Sequence, residues 1–144
     1  MSVVVRQGTL EECIEAVEAI NEFIHKESVV TLSERLMGKR SLILVAEEQG
    51  KIIGFKIGYE LDPHTFYSWF GGVSPVMRGK GIAQQLLKDQ EAWVFEQGYR
   101  VTKVKSRNRF TSMLRLLIKN GYLIESVEQK PDLCESRIHF IKTM

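Results

Sequence analysis

Residues 70–83 read Phe-Gly-Gly-Val-Ser-Pro-Val-Met-Arg-Gly-Lys-Gly-Ile-Ala, a β-prone run that passes through a constrained turn into a helical pattern. This order of residue types suits anion binding. Gly79 and Gly81 remove Cβ atoms where a diphosphate can approach, and the amides of the next helical turn face its oxygens, favoured by the helix dipole. Arg78 and Lys80 can add charge-assisted contacts, although solvated side chains account for them equally well. The stretch lacks the full GxGxxG pattern, and Gly81 is followed by Ile82-Ala83 rather than Lys-Ser/Thr, so dinucleotide and P-loop readings weaken. Gly71-Gly72 can accommodate a bulge or a splay. If the strand near residues 101–106 diverges there, a linear acyl-carrier arm can enter the gap and place its thioester near exposed main-chain donors.

Transfer of an acyl group from a thioester held there calls for a neighbouring side chain that can take a proton. Glu60 is the best side-chain candidate, near the end of a strand that faces the proposed thioester-bearing strand. His64 and Tyr67 are weaker alternatives, and Cys134 has no identifiable base beside it. Residues 103–109 carry four basic side chains, which can meet a phosphate, an acidic acceptor or only solvent. They are without the aromatic or groove-reading pattern of a nucleic-acid module, which makes nucleic acid a poor partner.

The elements that must position these residues follow from periodicity. A short strand at residues 3–5 leads to a helix carried by Leu10, Cys13, Ile14, Val17, Ile20 and Ile24, with Thr9 and Glu12 at capping-box positions. Leu32, Leu36 and Met37 mark a second helix closed by Gly38. Strands are expected at 41–46, 52–61 and 65–73, where Phe55, Tyr59, Phe66, Tyr67, Trp69 and Phe70 serve sheet packing. A long helix carried by Ile82, Leu86, Leu87, Trp93 and Val94 ends near Gly98. A strand at 101–106, a helix through Met113–Ile118 and strands at 122–127 and 136–143 complete the order. That order predicts one mixed α/β domain over residues 1–144, with a mostly antiparallel sheet between helices.

Composition agrees with a compact chain. The 144 residues are 44% hydrophobic and 26% charged, with a formal charge of +2 that gives no general attraction to nucleic acid or membrane. Cys13 and Cys134 have no zinc-type spacing or disulfide framework, no metal site is expected, and a reduced cytoplasmic setting is the simpler reading. The N-terminus lacks a secretory pattern, and no apolar run approaches a membrane span. Apolar faces account for a homodimer interface as readily as for internal packing.

Residues 73–83, above all Arg78-Gly79-Lys80-Gly81-Ile82-Ala83 with Leu86-Leu87 behind them, resemble the Gln/Arg-any-any-Gly-any-Gly/Ala turn of GNAT-type N-acetyltransferases. The similarity extends over nearly the whole chain and implies the three-layer fold of that family and acetyl-coenzyme A as acyl donor. It further implies that Arg78, Gly79, Lys80, Gly81, Ile82 and Ala83 hold the pyrophosphate. The Val73 backbone aligns the arm and polarises the thioester carbonyl, and Asn108 contacts the carrier or caps the segment after it. The acceptor is then a small-molecule or peptide amine that attacks directly in a ternary complex. Many relatives carry a tyrosine four residues before the glycine equivalent to Gly121, where it protonates the leaving thiolate; this chain has Leu117. That departure keeps a catalytically silent coenzyme A-binding or interaction domain as the alternative.

Overall fold

A computed structural model describes residues 2–20 and 28–144. The elements are β1 (Val4–Gln7), α1 (Leu10–Glu18), α2 (Val29–Leu36), β2 (Ser41–Glu48), β3 (Lys51–Asp62), β4 (Thr65–Val73), α3 (Ile82–Glu96), β5 (Val101–Arg107), α4 (Thr111–Lys119), β6 (Leu123–Glu128) and β7 (Arg137–Thr143). This is the order that the periodicities predict. Ile24, expected on the first helical face, lies outside the described residues.

Seven strands form one sheet in the order β1-β2-β3-β4-β5-β7-β6. Every pairing is antiparallel except β4 with β5. Parallel neighbours need a crossover, and α3 supplies it. Thr9 caps α1 as the sequence predicts: its hydroxyl accepts from Glu12 N–H at 3.2 Å, and Glu12 Oε1 accepts from Thr9 N–H at 3.0 Å. Arg6 on β1 ties this cap to β2 through Glu12 at 2.5 Å and Glu47 at 2.7 Å.

The sheet separates two helical layers. On one face α1 and α2 bury Cys13, Val17 and Leu32 against Val45, Phe55 and Ile57. On the other, Ile82, Leu86 and Val94 of α3 cover Leu44, Ala46 and Phe66, while Leu87 joins Leu117 of α4 over Val104, Ile138 and Phe140. Thus α3 lies across the β4–β5 seam, with one row of side chains on each strand's half of the sheet. Phe55 and Phe66 are fully buried packing residues, as expected of the aromatics, whereas Tyr67, Trp69 and Phe70 are only half-buried.

Candidate active site

The β4–β5 seam is paired only from Thr65 opposite Val101 to Ser68 opposite Val104, although β4 continues to Val73 and β5 to Arg107. Beyond Ser68 the strands part into a fork. The irregularity in β4 is at Trp69, since Ile57 opposes Phe70 while Gly58 already opposes Ser68. Gly71 and Gly72, expected to accommodate a bulge or a splay, lie on the arm that splays from β5 and pair in register with Lys56 and Phe55 on β3. Gly58 explains the displacement: a Cβ there would lie 2.3 Å from the Phe66 ring, so the strands close tightly one step earlier.

The register dictates what lines the fork. Ser74 N–H donates to Ile53 C=O at 2.8 Å, which makes the alternate pairs Phe55/Gly72 and Ile57/Phe70 the hydrogen-bonded ones. The main-chain groups of Val73 and Gly71 therefore point away from β3, into the opening. Arg78 Nε donates to the Val73 carbonyl at 3.2 Å, leaving the Val73 amide and both Gly71 groups toward the gap. Sequence reasoning singled out Val73 and missed Gly71 in this donor role; the signal is alternation once the register is known.

At the wide end of the fork, Ser74 and a 3-10 turn at Pro75–Met77 lead into α3. Gly79 and Gly81 both have φ +79, and a Cβ on either would meet no atom within 4 Å. Their role is conformational: the turn needs left-handed backbone, and the space above it is open. Gly81 is the N-cap of α3 without a side-chain cap, and the Gln85 N–H to Gly81 C=O bond of 3.0 Å comes after the amides of Ile82 and Ala83. Those amides have no earlier helical carbonyl to meet and sit at the positive end of a 15-residue helix. Arg78, Gly79, Lys80 and Gly81 are exposed around them. The cradle thus has the donors, charge and clearance that a diphosphate requires.

The other singled-out residues are scattered. Asn108, at the tip of the second arm, donates from Nδ2 to Leu133 C=O at 3.2 Å, which ties down the loop before β7. Tyr67 stands beside the vertex on the α1–α2 face, its ring 5.4 Å from Tyr59, and burial raises its phenol so that it stays protonated at neutral pH. Arg35 lies 4.9 Å over Trp69 and donates to the Tyr59 hydroxyl at 3.2 Å, and Lys105 lies 5.6 Å over Tyr67. Glu60 opposes Phe66, on the closed side of the vertex, and accepts a 2.6 Å hydrogen bond from the Tyr99 hydroxyl. His64 caps the β3–β4 turn by donating its amide to Asp62 at 2.8 Å. Cys134 is exposed in the loop before β7.

Behind the fork, on the α3 face, is a polar cluster that sequence reasoning missed. Lys56 is only 7% exposed, and burial lowers its ammonium to about 8, opposed by the nearby charge of Glu91. Glu91 accepts from Tyr122 Oη and Lys142 Nζ, each at 2.9 Å, and from Lys88 Nζ at 3.4 Å. Ser68 Oγ and both polar atoms of Gln90 are buried without a hydrogen-bond partner among the described residues. The one signal in the sequence is a lysine inside the otherwise apolar run Ile-Ile-Gly-Phe-Lys-Ile-Gly-Tyr.

The sequence model of the Acetyltransferase (GNAT) family matches residues 10–122, from the start of α1 through the cradle and fork to the turn after α4. The chain belongs to the GNAT acetyltransferase family. The acetyltransferase plu1384 of Photorhabdus laumondii is 33% identical over 98 residues, a match that spans 66% of this chain and 66% of that relative. In structure, the GNAT fold of this chain is similar to Ard1 from Thermoplasma volcanium, with TM-score 0.85, 15% identity and coverage of 100% and 99% of the two chains. It is also similar to a GNAT acetyltransferase from Elizabethkingia anophelis with acetyl-CoA bound, with TM-score 0.75, 19% identity and coverage of 99% and 98%. The expected three-layer GNAT fold is therefore the one found. No described helix is long and apolar enough to cross a membrane.

Proposed function

We propose that the protein is an N-acetyltransferase that moves the acetyl group of acetyl-coenzyme A to a primary amine by direct attack in a ternary complex. The observation that carries this reading is the fork, whose open arm presents unpaired main-chain groups and ends on the glycine cradle at the α3 N-terminus. The cradle amides, with Arg78 and Lys80, hold the pyrophosphate; Asn108 flanks the carrier from the opposite arm. The Val73 and Gly71 amides orient the arm and donate to the carbonyl oxygen as charge grows on it.

Direct attack requires the neutral amine. Glu60 is the carboxylate assigned to receive its proton through ordered water; it lies on the α3-covered face, bonded to Tyr99, across the sheet from the Tyr67 and Trp69 rings. Protonated Tyr67 cannot be that base and instead orients the acceptor at the vertex. The half-buried rings of Tyr67 and Trp69, with Arg35 and Lys105 over them, form the acceptor side. The chemistry is consistent with a cytoplasmic enzyme and needs no metal.

The deciding experiment incubates purified protein with acetyl-coenzyme A and a panel of amines, polyamines and peptides, reading free thiol and acetylated product by mass. Saturable turnover with matching thiol and product supports the transferase reading; saturable binding with no turnover on any acceptor supports the silent binding domain. Gly81→Glu places a carboxylate on strained left-handed backbone at the cradle. Acetyl-coenzyme A affinity is expected to fall by about tenfold or more, roughly 1.4 kcal/mol, with the far-UV spectrum unchanged. Retained affinity in the folded variant would remove the cradle from the site.

A further inference from the structure

Thiolate departure needs an acid or a cation, and Leu117 can be neither. It is fully buried against Leu87 and Val104, one of the apolar side chains that fill the α3–α4 interface. Among the buried polar groups beside the fork is Lys56 on β3. Lys56 opposes Gly71, the residue whose main chain faces the opening, and a Cβ on Gly71 would lie 3.5 Å from Lys56 Cγ. The lysine side chain therefore runs alongside the β4 arm. Its direction is set by Leu44, its β2 partner, which belongs to the core under α3.

Ser68 is the last β4 residue paired with β5 and is 3% exposed, two positions after Phe66 on the same α3-covered face. Gln90 is fully buried one helical turn beyond Leu86 and Leu87, which cover the β4 and β5 halves respectively. It consequently faces the seam at which the fork begins. A hydroxyl, a primary amide and an ammonium are thus all buried on the α3-covered face behind the vertex, and the first two have no partner among the described residues. Unmet hydrogen-bonding capacity at a buried site implies an occupant, either water or a ligand atom.

We propose that Lys56 is the catalytic acid of this enzyme, meeting the sulfur of coenzyme A as it leaves, with Ser68 and Gln90, which bond to no described residue, as positioning residues that act on it through water. The inference rests on the transferase reading of the fork. As the C–S bond breaks, its electron pair goes to sulfur, which takes a proton from the Lys56 ammonium. The new C–N bond is to the acceptor nitrogen, whose proton passes to water, and neutral Lys56 is reprotonated from solvent. Glu91 from α3 is the charged group that acts on Lys56, and it is already engaged by Lys88, Lys142 and Tyr122. β2 contributes only Leu44 opposite Lys56, and β4 only Gly71. A cation buried away from solvent has most to gain from a transient anion at the vertex.

The test reads the thiol of bound coenzyme A by its ultraviolet thiolate absorbance across pH, apart from turnover. Bound to the wild-type protein, the thiol is expected to titrate about one unit below the free thiol, a tenfold shift toward thiolate. Lys56→Met is expected to abolish this shift while coenzyme A still binds. A wild-type thiol that titrates like free coenzyme A, with only water behind the vertex, overturns the proposal without reference to any variant. In turnover, wild-type kcat is expected to fall as pH rises through about 8, to which burial lowers the Lys56 ammonium. Lys56→Met loses that alkaline limb, with kcat lowered about 100-fold; a variant that keeps both wild-type kcat and the limb also overturns it. If acetyl-coenzyme A binds no variant and not the wild type, it is the reading of the fork that fails.

Discussion

At the residue scale, the site separates into groups that the chain's local pattern reveals and groups that only packing reveals. The cradle belongs to the first kind, because Gly79 and Gly81 announce left-handed backbone at a strand-to-helix junction. Lys56, Ser68 and Gln90 belong to the second: each is an ordinary polar residue until three elements bury it at one seam. Glu60 lies between these cases. Its place near the end of β3 was readable, but its bond to Tyr99, 39 residues away, was not. Burial and the Glu60 carboxylate push the Tyr99 phenol up to about 12, so it remains a donor throughout the neutral range. Tyr99→Phe therefore removes a donor and frees Glu60. The expected cost in unfolding free energy is about 1 kcal/mol, read by denaturant titration. Glu60→Gln should lower kcat about 100-fold and leave the acetyl-coenzyme A Kd unchanged. Equal kcat in Glu60→Gln and wild type would end the base assignment; a kcat change in Tyr99→Phe that disappears in the Glu60→Gln background would confirm that the two act together.

Among the elements, helices and their caps were legible because their signals are local. Thr9 and Glu12 form the reciprocal cap from which α1 starts, and Gly38, Gly98 and Gly121, all at positive φ, follow helices at the predicted places. Gly71-Gly72 lies on the splayed arm, but the bulge is elsewhere, because a bulge is decided by what lies across the ladder. Gly71-Gly72 is the conspicuous pair, yet the ring of Phe66 under Gly58 sets the register and puts the extra residue at Trp69. Element stability and site function are separable here. Thr9→Ala removes the hydroxyl half of the cap and leaves the residue-9 N–H to donate to Glu12, at an expected cost of about 1 kcal/mol by thermal or urea unfolding. Since α1 packs on the face opposite the cradle, its acetyl-coenzyme A affinity should equal that of wild type; a parallel loss of affinity would show that α1 holds the fork in shape.

Across the whole molecule, the fork divides the sheet into an N-terminal half covered by α1 and α2 and a C-terminal half carrying α4. Four residue pairs and α3 join them. The acyl donor lies across that joint, so its binding should stabilise the assembly and not one half alone. Cys13 reports on this. It is fully buried in the cluster with Val45, Phe55 and Ile57, and burial pushes its thiol up to about 12, whereas Cys134 is exposed. An alkylating reagent followed by mass spectrometry should label one cysteine promptly and Cys13 only when the α1 face opens. Exposing Cys13 means stripping α1 from the central strands that also form the β4 arm of the fork, which ties its labelling to global opening. Acetyl-coenzyme A at 100 times its Kd adds about 2.7 kcal/mol to the native state and should slow Cys13 labelling about 100-fold while Cys134 is unaffected. If the ligand leaves the Cys13 rate unchanged, α1 opens by itself, and the two halves of the sheet are not one cooperative unit.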